Sequence, residues 1–212
     1  MTADRSIALP GPEATRALGR AIGERCRGGE RIALVGDLGS GKTTFTRGLA
    51  EGLGVAWEAV SSPTFTILHE HAGGRGGLRL VHADLYRVGE AEELEALGWE
   101  ELLGVPGVVL AVEWADRFPD CMPEPHLEVR LGHGGSPDAR QVEVVTRAGG
   151  DRLLRGIDRN CPMCGGPVGT EASTHPFCSS RCRMADLGNW FSGGYSVSRE
   201  IEEDDLVDPD LA

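Results

Sequence analysis

Gly36-Asp37-Leu38-Gly39-Ser40-Gly41-Lys42-Thr43-Thr44 lies between a short apolar run, residues 31–35, and an amphipathic helical pattern over residues 43–53. Strand, glycine loop and helix in that order distinguish a G-x-x-x-x-G-K-[ST] phosphate-binding loop from a chance match. Glycines at 36, 39 and 41 permit positive φ and close approach, so successive backbone N–H groups can turn inward as an anion nest. The following helix adds the positive end of its dipole. In this frame Lys42 reaches the β- and γ-phosphates of a nucleotide and the Thr43 hydroxyl meets a bridging Mg²⁺, with Thr44 the last residue counted in the loop. The alternative is a glycine-rich strand-to-helix turn that happens to carry a lysine. The expected fold is α/β, a P-loop NTPase with a mainly parallel central sheet flanked by helices.

Outward from the loop, Ala14, Ala17, Leu18, Ala21, Ile22 and Cys26 recur at helical spacing and predict a helix from Pro12 to Gly28-Gly29. Residues 55–60 form a short apolar segment after the loop helix; strand, helix and strand in succession imply a parallel crossover. Gly73-Gly74-Arg75-Gly76-Gly77 predicts a hairpin turn into a strand over residues 78–85. Leucines at 94, 97, 102 and 103 predict short helices broken at Gly98. Residues 108–112, Val-Val-Leu-Ala-Val, have the uniform apolarity of a strand buried on both faces. Residues 127–131 and 141–145 alternate as a terminal hairpin, and residues 151–159 read as a polar, partly helical connector.

Composition sets the class. The chain has 212 residues, 40% hydrophobic and 25% charged, enough for one full domain and a smaller one. No apolar run approaches the ~20 residues of a membrane span, and no signal-peptide pattern opens the chain, so a cytoplasmic protein without membrane contact is expected. The net charge of −12 disfavours direct nucleic-acid binding, although Glu202, Glu203, Asp204, Asp205, Asp208 and Asp210 place half of it at the C-terminal end.

Phosphoryl chemistry needs acids near the loop. Glu113 directly follows the doubly buried strand and is assigned to Mg²⁺ support; Asp84, ending a more alternating strand, is assigned to the metal's water or to activation of the attacking water. The two roles are exchangeable on sequence grounds, and a solvated strand-end carboxylate is the plain alternative for either. His82 and Trp114 are read first as packing residues.

GDLGSGKTTFTRGL, SPTFT, HADLYR, EELEALG and VEW, in this order over about residues 10–147, resemble the TsaE family, the ATPase of tRNA threonylcarbamoyladenosine synthesis. The resemblance implies an accessory ATPase acting with TsaB and TsaD, with tRNA held mainly by those partners. It makes residues 62–66 a switch-like segment, Asp84 the acid of the HxDLYR motif, and Glu113-Trp114 the Glu-Trp pair. A small-molecule P-loop kinase with a partner-docking module is the competing reading; no arginine-rich lid follows the core helices.

Of six cysteines, Cys26 and Cys121 stand alone and read as plain buried thiols. Cys161, Cys164, Cys178 and Cys182 give C-x₂-C-x₁₃-C-x₃-C, a spacing suited to a closed, structural Zn²⁺ site; two disulfides or four unrelated thiols are the alternatives. NCPMCGGPV and PFCSSRCRMADLGNWFSGGY, followed by an acidic end, resemble the YacG family of zinc proteins that inhibit DNA gyrase. That resemblance implies binding to the gyrase B subunit, although Val168-Gly169-Thr170 lacks the tryptophan often found there. The expected division is a P-loop ATPase domain at 1–150, a linker at 151–159, a zinc module at 160–200 and an acidic, disordered tail at 201–212.

Overall fold

A computed structural model describes residues 4–148, 150–155, 157–169 and 173–192. The acidic tail and its expected disorder lie outside the described residues.

Seven strands form the main sheet, β1 (Asp4–Leu9), β2 (Arg31–Val35), β3 (Leu68–His71), β4 (Arg79–Asp84), β5 (Val108–Glu113), β6 (His126–His133) and β7 (Arg140–Arg147). Their spatial order is β1-β7-β6-β2-β5-β4-β3. The centre, β6-β2-β5-β4, is parallel, as a phosphate-binding loop requires. β1, β7 and β3 are antiparallel additions at the flanks, so the sheet is mixed around a parallel core.

Every residue of β5 is buried, and its side chains divide by parity. Val109 and Ala111 join Ile32 and Leu34 in the larger core, whereas Val108, Leu110 and Val112 join Ala33, Leu94 and Trp99 on the opposite face. Helices α1 (Pro12–Gly23) and α2 (Lys42–Leu53) cover the first face; the short α3 (Glu92–Ala96) and α4 (Trp99–Leu103) lie over the second. Gly98, at φ 71°, separates α3 from α4 as expected.

α1 and α2 meet backbone to backbone. A Cβ at Gly48 would stand 2.0 Å from the Arg16 carbonyl oxygen, and one at Gly19 would stand 2.1 Å from that of Phe45. Only glycine permits this approach, which brings α1 against the helix that begins with the loop lysine.

Three local expectations change. α1 stops at Gly23, and the chain reaches Cys26 through turns in which Arg25 N bonds Ile22 O and Cys26 N bonds Gly23 O. Residues 55–60 are not a strand: Val55 and Val60 are buried plugs at either end of a 3-10 turn, Trp57–Ala59. The next parallel strand is β4, reached through antiparallel β3. The segment read as a polar connector holds buried Leu153, Leu154 and Ile157, which pack into the larger core.

Beyond it, β8 (Ile157–Asn160) and β9 (Pro167–Gly169) pair antiparallel, and α5 (Ser180–Phe191) follows, capped by the Ser179 hydroxyl accepting from Cys182 N at 3.1 Å. Among the described residues, no helix is long and apolar enough to cross a membrane.

Candidate functional site

β2 delivers the chain into the loop at Gly36, and positive φ at Gly36, Gly39 and Gly41 (145°, 77° and 103°) curls it into α2. A Cβ at Gly36 would stand 2.2 Å from the Leu131 carbonyl oxygen, so the loop lies directly against β6. Arg140, the first residue of β7, donates to the carbonyls of Ser40 and Gly39, each at 2.9 Å, and so fixes the shape of the loop from outside. Ser40 is fully buried behind it, its Oγ without a partner among the described residues.

Lys42 is buried, and its ammonium donates to the carbonyls of Gly36 at 2.7 Å and Asp37 at 2.9 Å. It also stands 3.9 Å from the Trp114 ring centroid. Burial lowers its pKa from the ordinary lysine value, while the negative charges of Glu113 and Asp84 oppose that shift.

The parallel register sets Asp84 beside Glu113 at the carboxyl ends of β4 and β5, where ligands of open α/β sheets bind. Glu113 Oε1 accepts from Thr43 Oγ1 at 2.8 Å and lies 2.9 Å from His82 Nε2. A carboxylate can only accept, so Nε2 carries the proton; Nδ1 is buried without a partner among the described residues. Asp84 Oδ2 accepts from Ser62 Oγ at 2.8 Å and Thr64 Oγ1 at 2.6 Å, and Oδ1 accepts from Tyr86 N at 2.9 Å. The switch-like segment is thereby tied to one acid and the loop helix to the other. Lys42, Thr43, Ser62, Thr64, Asp84 and Glu113 line a cavity of about 390 Å³, together with Leu38, Gly39, Gly41, Thr44, Tyr86 and Trp114. Gly36 and Asp37 contribute through their carbonyls, and Ser40 from behind.

His82 and Trp114, read from sequence as packing residues, each contact a charged group of this cavity. His82 is wholly buried but spends its Nε2 proton on Glu113; Trp114, at φ 60°, lies under Lys42 and 5.0 Å from the Tyr86 ring. Arg140 had no signal in the sequence, since one arginine opening a hairpin strand has no motif around it.

The Sγ atoms of Cys161, Cys164, Cys178 and Cys182 all lie within 4.8 Å of one another, with Cys164–Cys178 at 3.4 Å and Cys178–Cys182 at 3.6 Å. Tetrahedral zinc with Zn–S bonds of about 2.3 Å sets sulfurs about 3.8 Å apart, so the cluster fits Zn²⁺. Cys161 N bonds Gly166 O at 2.7 Å and Gly165 N bonds Cys161 O at 2.8 Å, shaping the first knuckle. Cys26 and Cys121 are buried in the two sheet cores rather than with this cluster, and burial pushes the Cys121 thiol up to about 12.

A glycine loop between strand and helix, its lysine and threonine, and acids at the ends of two adjacent parallel strands define a P-loop NTPase domain. Residues 9–142 match the family model described as threonylcarbamoyl adenosine biosynthesis protein TsaE, and the chain belongs to the TsaE family, a family of P-loop ATPases. Residues 159–208 match the model described as DNA gyrase inhibitor YacG, so a TsaE domain is followed here by a YacG-like one. The tRNA threonylcarbamoyladenosine biosynthesis protein TsaE of Nostoc sp. is 41% identical over 151 residues, covering 68% of this chain and 89% of that protein. The protein of the same name from Bacillus subtilis is 41% identical over 131 residues, covering 62% and 78%. The crystal structure of Bacillus subtilis YdiB superposes with a TM-score of 0.56 at 32% identity, covering 69% of this chain and 87% of that one.

Proposed function

We propose that the N-terminal domain is a Mg²⁺-dependent ATPase serving threonylcarbamoyladenosine formation in tRNA, with homologues of TsaB and TsaD as partners that hold most of the tRNA. The observation that carries it is the sharing of Glu113 Oε1 between Thr43 and His82, directly beside Lys42. Lys42 leaves the carbonyls of Gly36 and Asp37 for the β- and γ-phosphates of ATP, its ammonium countering the charge of the transferring group. Gly36 to Thr44 cradle the phosphates. Thr43 and Glu113 would hold Mg²⁺, which would supply charge neutralisation on the phosphate oxygens. Asp84 orients the attacking water and accepts its proton, with Ser62 and Thr64 setting the carboxylate.

On the same reading the protein is cytoplasmic, with the ATPase at 1–150, a connecting segment at 151–159 that packs onto it through Leu153, Leu154 and Ile157, a module holding Zn²⁺ through Cys161, Cys164, Cys178 and Cys182 at 160–200, and an acidic tail at 201–212. The module's partner is the gyrase B subunit.

ATP turnover by the full chain, with and without TsaB and TsaD homologues, tests the first part. Stimulation that needs Mg²⁺ is expected; no stimulation, with phosphate recovered on a small acceptor, would replace the ATPase by a kinase. Titrating the full chain into a gyrase supercoiling assay tests the second, and undiminished supercoiling at saturation rules out the inhibitor reading.

A further inference from the structure

α1 is a single layer between the cysteine cluster and the loop helix. On its outer side, Ala17 packs in one apolar cluster with Cys161, Val168 and Cys178. A Cβ on Gly166, within the first zinc knuckle, would stand 2.7 Å from Ala17 Cβ and 2.8 Å from Ala14 Cα, so β9 and its turn rest almost on the helix backbone. Arg181 of α5 adds an ion pair to Glu13 at 3.1 Å. On its inner side α1 touches α2 through the glycine contacts described above. Thr15, fully buried, also places its methyl group 3.6 Å from the position a Cβ would take on Gly41 of the phosphate loop.

At both interfaces the closest contacts run through glycine, alanine and backbone atoms, which cannot absorb a displacement by changing rotamer. A shift of α1 is therefore passed to α2, whose first residues are Lys42, Thr43 and Thr44. The cysteine module, by contrast, has too small a core to hold its shape alone, and metal binding supplies much of its folding free energy. We propose that the outer face of α1 is a docking surface for this chain's own zinc module, and that zinc at the four cysteines holds the α1–α2 pair and so the phosphate loop in place. Loss of the metal frees the module from Ala14, Ala17 and Glu13, and the two helices open locally more often. Coupling of this kind is reciprocal, so nucleotide binding also tightens zinc retention. The inference rests on the zinc reading of the cluster and is independent of the TsaB, TsaD and gyrase assignments.

Hydrogen exchange on the full chain tests it, comparing zinc-loaded protein, protein stripped by a chelator, and stripped protein given zinc again, with metal content measured first. Stripping is expected to speed exchange in residues 12–23 and 42–53 by about fivefold or more, with recovery on adding zinc back. Ala17→Arg, which sets a cation against Arg181 across the interface, should still bind zinc but lose the metal's effect on α2. Arg181→Glu, at an exposed side chain, is the milder variant and should reduce that effect only in part. Exchange in both helices unchanged by stripping, or a full response surviving in Ala17→Arg, overturns the coupling. A chain that binds no zinc at all overturns the zinc reading itself, a separate result because metal content is known beforehand.

Discussion

The nucleotide cavity and the cysteine cluster satisfy their polar atoms in opposite ways. In the cavity every working group has a partner it can give up: Lys42 rests on two loop carbonyls, Glu113 on Thr43 and His82, and Asp84 on two hydroxyls and a backbone N–H. In the cluster four sulfurs lie within 4.8 Å of one another, the number of thiolates that closes a tetrahedral Zn²⁺ and leaves no position for water or substrate. Exchangeable partners suit a site that binds, turns over and releases; a closed set suits a site that holds.

The sharpest way to break this contrast is Lys42→Ala. Turnover should fall by about 100-fold or more, since a preorganised charge on the transferring phosphoryl group is lost, while elemental analysis still finds about one zinc per chain. Undiminished turnover would place the ATPase activity elsewhere. His82→Ala should lower turnover by about tenfold through a less well-held Glu113. His82→Gln, which restores an N–H donor, should recover part of kcat with little change in nucleotide affinity; equal loss in both variants would reduce His82 to packing. Cys178→Ser combined with Cys182→Ser reverses the Lys42 result: zinc is lost, and turnover stays within about fivefold of the parent.

The smallest effect comes from histidines outside both sites. Burial lowers the pKa of His71, helped by the nearby His82 and His69, and burial likewise lowers that of His126. The unfolded chain then takes up protons first, so stability is full above the ordinary value of about 6.5 and declines as pH falls below it. Thermal melts from pH 7.5 to 5.5 should show the decline, and His71→Asn with His126→Asn should flatten it.

What could be read before the fold was known follows from how local each signal is. The phosphate loop, the doubly buried β5, the Gly98 break and the cysteine spacing are each complete within a short stretch of chain. β1 escaped because Ile7, Ala8 and Leu9 make too short a pattern, and the strand exists by pairing with β7, Leu9 opposite Arg140. The role of His82 depends on register: only the β4–β5 alignment of Asp84 with Glu113 shows which acid its ring can reach. Residues 55–60 look like a strand because both ends are apolar, yet Val55 and Val60 are anchors of a turn rather than points on one sheet face.

The packed segment after β7 bears on where this polypeptide can be cut. Leu153, Leu154 and Ile157 are buried in the ATPase core, Arg152 pairs with Glu30, and Arg25 holds the Arg155 carbonyl at 2.9 Å. Each apolar side chain contributes about 2 kcal/mol by burial, against a total of about 5–15 kcal/mol for a typical domain. A protein ended at residue 150 would lose all three, leave Glu30 without its arginine, and expose a greasy hollow to other chains. A protease should therefore spare this segment in the folded protein, and an expression boundary for the first domain belongs beyond Ile157.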